Sequence, residues 1–289
     1  MREQSLYFAY GSNLDAADWS VWCEEQGEET EPLLEVSPAW LVDWSMRFHY
    51  RSIRRGGGAA DVVPDGKGTA VPGVLFNLSP RGWVLMDRKE GAPTHYERAS
   101  VSVMTADGRS VTAITYVVAQ EKRRSSLQAP TDAYAALIQG GLEKRNLSIE
   151  HLKTAIRKID ASSAIQYVFV YGTLMRGQSR WAQLKPWSSG PIRPGRVNGR
   201  LHHLGAYPGL RLEHDGIVHG ELHRCECIEQ ALEELDRIEG CNARRPEDGL
   251  YARLPVAVDV GDGSVWAWTY VVNHLPSTAM PIHGGRWAA

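Results

Sequence analysis

Two carboxylates, Glu90 and Glu239, each close a helical pattern immediately before a glycine, in Met86-Asp87-Arg88-Lys89-Glu90-Gly91 and Leu235-Asp236-Arg237-Ile238-Glu239-Gly240. A carboxyl group held there against apolar walls is pushed by burial toward a pKa suited to moving protons near neutrality. Far upstream of each acid, a short run of β-forming apolar residues breaks at a Tyr-Gly turn. These are Leu6-Tyr7-Phe8-Ala9-Tyr10-Gly11-Ser12-Asn13-Leu14 and Val168-Phe169-Val170-Tyr171-Gly172-Thr173-Leu174. Such a turn offers successive backbone N–H groups beside a hydroxyl, a way to hold a carboxylate or a developing oxyanion, and its glycine permits close approach of a ligand. Taken singly, either motif is an ordinary turn or helix end. Their recurrence as an ordered pair points to a duplicated site.

A third echo supports duplication: Ala113-Ile114-Thr115-Tyr116-Val117-Val118 is answered by Ala267-Trp268-Thr269-Tyr270-Val271-Val272. A chain of 289 residues is long enough for two domains, each able to bury its own core. The small, polar segment 161–166 is the natural linker, so we expect domains at 1–162 and 163–289.

The elements that must carry these motifs follow from periodicity and punctuation. In the first half, strands are expected at 6–10, 40–50, 71–78, 96–105 and 110–118. The last two form a hairpin with a two-residue type I′ turn at Asp107-Gly108. Helices are expected from an Asn13 or Asp15 cap through Trp19 and Trp22, from Ser79-Pro80 to Gly91, over 131–140, and over 148–159 with Ile149, Leu152, Ile156 and Ile159 on one face. The second half has strands at 167–171, 196–204, 217–223, 251–260 and 264–272, and a helix at 228–238. Many short strands with few helices argue for an α+β protein, each unit a small curled sheet or barrel with helices outside.

Composition narrows the function classes. A formal net charge of -2 provides no basic excess for nucleic acid or a membrane surface. The cluster Lys122, Arg123 and Arg124 reads as a solvated loop. No apolar run approaches membrane-spanning length, the start of the chain does not read as a signal peptide, and four cysteines make no disulfide framework; a cytoplasmic, reduced protein is expected. His219, His223, Cys225, Cys227 and Cys241 lie close in sequence, but their spacing is not that of structural zinc, and no metal is expected. Ser12 and Thr173 lack the Gly-x-Ser-x-Gly setting of a hydrolase nucleophile. The ten tryptophans are expected in cores and cavity walls.

The first half resembles the γ-glutamylcyclotransferase family through 7–14, through Gly57-Gly58-Ala59-Ala60-Asp61, and through 86–91 with Tyr96 following. The second half is similar to the AIG2-like, γ-glutamylamine cyclotransferase branch. It matches through 171–177, Gly205-Ala206-Tyr207-Pro208-Gly209, Val218-His219-Gly220-Glu221-Leu222, 235–240, Leu250-Tyr251-Ala252-Arg253 and Gly285-Arg286-Trp287. The resemblance implies two tandem mixed β-barrels with flanking helices. It implies a cofactor-free and metal-free reaction on a small-molecule γ-glutamyl substrate, in which the α-amino group attacks its own γ-carbonyl, closing 5-oxoproline and expelling an amine. It assigns Glu90 and Glu239 as the general acid/base residues. Substrate binding falls to Tyr10, Gly11, Ser12, Asn13 and Leu14 with Tyr96, and to Tyr171, Gly172, Thr173 and Leu174 with Tyr251. Two alternatives stay open on sequence: a non-catalytic binding or scaffold protein on the same fold, and γ-glutamyl transfer to an external amine. The identity of the amine, the competence of each domain and the oligomeric state are also open.

Overall fold

The structure is a computed structural model and describes residues 5–158, 163–243 and 245–288. It divides into two compact units. The first takes the chain up to Asp65, Thr69–Val103 and Val111–Ser163; the second takes Gly66–Gly68, Met104–Ser110 and Ala164–Ala289. The expected boundary, part of the 161–166 linker and the helical position Ile159 fall at 159–162, outside the described residues.

The first unit comprises β1 (Leu6–Ala9), α1 (Ala16–Glu25), β2 (Leu34–Val42), β3 (Trp44–Ser52), β4 (Gly57–Pro64), β5 (Ala70–Asn77), α2 (Pro80–Glu90), β6 (Tyr96–Thr105), β7 (Ser110–Val118), α3 (Asp132–Glu143) and α4 (Glu150–Ala155). Its barrel closes in the order β1-β5-β2-β6-β7, with β3 and β4 as a separate ribbon. The second comprises β8 (Tyr167–Val170), α5 (Trp181–Leu184), β9 (Ser188–Asn198), β10 (Arg200–His203), β11 (Pro208–Arg211), β12 (Ile217–Cys225), α6 (Ile228–Glu239), β13 (Tyr251–Asp259), β14 (Ser264–Val272) and β15 (Met280–Pro281). Its barrel closes in the order β12-β8-β14-β13-β9. The α+β expectation of two mixed barrels with outer helices therefore holds.

The short apolar strands β1 and β8 are buried on both faces from their second residue onward. β1 runs antiparallel to β5 (Tyr7 opposite Phe76) and parallel to β7 (Tyr7 opposite Ile114). β8 likewise runs antiparallel to β12 and parallel to β14. The third sequence echo has a physical cause here. Thr115 Oγ1 donates to the Phe8 carbonyl at 2.9 Å, and Thr269 Oγ1 to that of Phe169 at 3.1 Å, so a buried hydroxyl ties the parallel pair in each barrel.

The acid-bearing helices end where glycine ends them. Ser79 caps α2 by accepting from Gly82 N, Pro80 occupies its first turn, and Gly91 takes the left-handed conformation at φ 64°. Gly240 does the same for α6 at φ 60°. Glu90 and Glu239 are thus the last helical residues.

Three expected elements differ. The strand at 40–50 is two, β2 and β3, turned at Asp43, which adopts φ 60°. The strand at 196–204 is the end of β9 and β10, broken at Gly199 with φ 153°. At 105–109 only Gly108 has positive φ (84°), Gly108 N donates to the Thr105 carbonyl and Thr105 N donates to that of Arg109, both at 2.9 Å. That is a three-residue loop with a left-handed glycine rather than a type I′ turn, which needs positive φ at both central residues. None of the ten tryptophans is exposed; Trp19 and Trp268 are fully buried.

Candidate active site

In the first unit the end of α2 folds back onto the turn after β1. Asn13 Nδ2 donates to Glu90 Oε1 at 2.7 Å and lies 2.7 Å from the Tyr7 hydroxyl and 3.2 Å from Met86 Sδ. Around them is a small cavity walled by Tyr7, Tyr10, Tyr96, Tyr116 and Tyr134, with Gly11, Ser12 and Ala60. Burial raises the pKa of Glu90, while Lys89, the Asn13 hydrogen bond and Arg55 oppose the rise. Burial also lifts Tyr7, Tyr10 and Tyr96 well above the ordinary phenol value, so all three stay protonated.

One side of this cavity is braced by charge. Arg55 grips Asp18 through two 2.7 Å contacts, donates to Ser12 Oγ at 2.8 Å and lies 5.0 Å over the Tyr134 ring. Lys89 Nζ reaches the same Asp18 at 2.9 Å. Burial works to raise the Asp18 pKa, but hydrogen bonds and charge from Arg55 and Lys89 prevail and hold it well below the usual carboxylate range. Burial lowers that of Lys89 against the pull of Asp18.

In the second unit a cavity of ≈ 180 Å³ is lined by Tyr171, Gly172, Thr173, Leu174, Arg180, Tyr207, Pro208, Glu239, Leu250 and Tyr251. Leu174 stands where the first unit has Asn13, and Glu239 accepts no hydrogen bond among the described residues. Burial therefore pushes its pKa up to about 7, with only Arg180 opposing. Gly172 is there for space, since a Cβ would come within 2.6 Å of Pro208 Cγ.

The expected site residues divide by what they touch. Glu90 and Asn13, and likewise Glu239 and Leu174, face the cavities. The backbone N–H groups of Gly11, Ser12 and Asn13, and of Gly172, Thr173 and Leu174, donate to no acceptor among the described residues. These turns therefore carry N–H donors that no protein acceptor takes up among the described residues, next to each cavity. Leu14 is not in the cavity: it packs under α3, where a Cβ on Gly141 would meet its own Cβ at 2.4 Å. The tyrosine hydroxyls are turned to backbone. Tyr10 donates to the Tyr116 carbonyl at 2.6 Å and Tyr171 to that of Tyr270 at 2.7 Å. Tyr96 donates to Ala60 and Tyr251 to Pro208, at 2.8 and 2.7 Å. These four contribute ring faces and frame.

Sequence reasoning left several participants unassigned. Asp87 accepts from Arg98 Nε at 2.8 Å and from the Tyr116 hydroxyl at 2.7 Å. Asp236 accepts from Arg253 Nε at 2.9 Å and from the Tyr270 hydroxyl at 2.8 Å. This repeated clamp fixes each acid-bearing helix to its barrel three residues before the catalytic candidate. Its signal was present as Tyr96-Glu97-Arg98 against Tyr251-Ala252-Arg253. Arg55, Asp18 and Tyr134 gave no such signal, because they meet only in three dimensions. Lys122, Arg123 and Arg124, expected as a solvated loop, line a cleft next to Glu90.

Among the described residues no group of three or more His, Cys, Asp or Glu is placed to hold a metal ion. Cys225 is fully buried in β12, Cys227 is exposed ahead of α6, and all four cysteines are free. No helix among the described residues is long and apolar enough to cross a membrane.

The fold and site define a class: tandem mixed barrels, each with a half-buried acid on the wall of a cavity that it shares with the turn after the first strand. Residues 7–136 and 168–289 both match the family model described as gamma-glutamyl cyclotransferase, AIG2-like, and the chain belongs to that family. It is 33% identical over 107 residues to the gamma-L-glutamyl-butirosin B gamma-glutamyl cyclotransferase of Niallia circulans, covering 37% of this chain and just under two thirds (66%) of that protein. It is 31% identical over 120 residues to a putative gamma-glutamylcyclotransferase of Vibrio cholerae, covering 42% of this chain and 93% of that one. The solved structure of YkqA from Bacillus subtilis aligns with 93% of this chain and 84% of its own at 17% identity and a TM-score of 0.39.

Proposed function

We propose that the protein is a cytoplasmic tandem γ-glutamylcyclotransferase, with catalytic domains at 1–162 and 163–289, releasing 5-oxoproline and a free amine from γ-glutamyl amides. The observation that carries this reading is the 2.7 Å contact between Asn13 on the β1 turn and Glu90 at the end of α2, inside a tyrosine-walled cavity.

Glu90 or Glu239, as carboxylate, takes a proton from the substrate α-ammonium. The freed amine attacks the γ-carbonyl carbon, and the oxygen that gains charge is met by the free N–H groups of the turn. The same carboxyl returns its proton to the departing nitrogen as the amide C–N bond breaks, then takes the second proton from the ring nitrogen and passes it to the released amine, which leaves as an ammonium beside neutral-lactam 5-oxoproline. Atoms and charge balance without a cofactor. The acid must cycle between forms near neutrality, which suits a pKa of about 7 at Glu239. Nucleophile and electrophile share one molecule, so holding the folded conformer supplies much of the rate; effective molarities of about 10⁵–10⁸ M are attainable in such closures. The tyrosine walls keep water from competing.

Incubation with a panel of γ-glutamyl amides, analysed by mass spectrometry, tests the reading. 5-Oxoproline with a stoichiometric amine is expected. Free glutamate would indicate hydrolysis, a new amide would indicate transfer to an external amine, and unchanged substrate would leave binding alone.

A further inference from the structure

We propose that the first domain takes γ-glutamyl amides whose leaving amine carries two or more negative charges; this rests on the cyclotransferase reading of Glu90. The cavity around Glu90 opens into a cleft of ≈ 580 Å³ that shares Ser12, Glu90, Tyr96 and Tyr134 with it. Beyond Glu90 the walls are cationic: Arg51 near the end of β3, Arg54 in the turn after it, Arg88 on α2, and Lys122, Arg123 and Arg124 after β7. Three of these already have acids behind them. Arg54 pairs with Glu25, Arg88 with Glu28, and Arg123 with the fully buried Asp61. Asp61 also accepts from the backbone N–H groups of Val62 and Val118, so Arg123 is held by a fixed anchor.

Arg51, Lys122 and Arg124 make no ion pair among the described residues, and Glu121 is the one acid besides Glu90 on the cleft wall. Three unpaired cations against one carboxylate leave an excess of two. A cleft lined by an excess of one sign of charge concentrates ligands of the other sign. The γ-glutamyl moiety belongs at the Glu90 end, so the group that meets these cations is the departing amine. A simple amino acid brings one carboxylate, and the excess calls for another, as in a dicarboxylic amine or an acidic peptide. The second cavity has no such bias: Arg180 is its one cation, set among Tyr207, Pro208 and Leu250. The two domains thus divide their substrates by charge.

The test uses the full-length chain carrying Glu239→Gln, so that the first centre is read alone. Its substrates are γ-glutamyl-glutamate, γ-glutamyl-glutamine and γ-glutamyl-glutamine amide, whose amines carry two, one and no carboxylates. We expect kcat/KM for 5-oxoproline release to fall about tenfold with each charge removed. The differences should flatten in about 0.5 M NaCl, and the order should reverse in an added Arg51→Glu/Arg124→Glu pair. Equal kcat/KM for the three overturns the proposal and leaves the cyclotransferase reading standing. If none turns over, calorimetric binding to the same chain decides. Tenfold tighter binding of the dianionic ligand supports the charge preference while the catalytic reading fails, and equal or absent binding overturns both.

Discussion

Asn13 Nδ2 stands 2.7 Å from Glu90 Oε1, joining the turn after the first strand to the end of a helix 77 residues further along. In the second unit the corresponding pair is Leu174 and Glu239, and no hydrogen bond joins them. One duplicated frame therefore holds two acids in different electrostatic settings.

The first consequence concerns pH. A hydrogen bond donated to the charged form of Glu90 holds its pKa down against burial. In the chain carrying Glu239→Gln, Asn13→Leu should move the rising limb of the kcat/KM profile to higher pH, because the base ionises later. In the chain carrying Glu90→Gln, the limb governed by Glu239 should fall at about pH 7. Profiles of 5-oxoproline release check both, and an unmoved limb in Asn13→Leu would separate Asn13 from the ionisation.

Stability should show the same group. The Glu239 pKa is raised from its ordinary value of 4.5 to about 7, so the folded state holds the proton more tightly than the unfolded chain. That stabilisation is complete below about pH 4 and is lost as pH rises through 7. Glu239→Gln should therefore stabilise the protein relative to the parent at pH 8, by about 1–3 kcal/mol, and by much less at pH 4. Thermal melts at the two pH values make the comparison.

Asp18 carries the opposite sign. Removing it strands Lys89, whose side chain is 3% exposed, and Arg55 without their anion. Asp18→Ala should cost about 3–5 kcal/mol, the range for breaking a buried pair from one side. Acid should do part of the same, since a carboxyl held below its ordinary pKa contributes stability above about pH 4 that is lost as pH falls. Denaturant unfolding measures it, and a neutral substitution would remove Asp18 from the brace.

The Tyr-Gly tyrosines offer a contrast between frame and chemistry. Tyr10→Phe and Tyr171→Phe each leave a buried carbonyl, of Tyr116 or Tyr270, without its hydroxyl donor. Each should cost about 1–3 kcal/mol in stability. KM should change little if these rings only wall the cavity, and a large rise in KM with unchanged stability would make their hydroxyls substrate contacts.

Much of this was legible in the sequence for a physical reason. β1, β8, α2 and α6 carry strong local signals, apolar β-formers in the strands, a Ser-Pro start in α2 and a glycine stop in both helices, and their burial and C-terminal capping do what those signals say. The breaks at Asp43 and Gly199 were not legible. A single residue entering positive φ interrupts no periodicity, and two strands joined without a loop read as one. The acids and turns of the candidate site could be named because duplication printed them twice. Asp18 on α1, Arg55 after β3 and Tyr134 on α3 come from three segments whose sequences are not echoed in the second half, so only the fold brings them together. Leu14 shows the converse. Proximity in sequence to the turn placed it with the site, while the 3₁₀ turn at Ser12–Leu14 rotates it under α3.

The central claim is that Glu90 and Glu239 move the proton in both steps of ring closure. Release of 5-oxoproline from a γ-glutamyl amide by the parent chain, Glu90→Gln, Glu239→Gln and the double variant tests it most directly, with circular dichroism confirming the fold. We expect each single variant to lose the substrates of its own domain and the double variant to fall by about 10²–10⁴-fold or more. A folded double variant turning over at the parent rate would contradict the account.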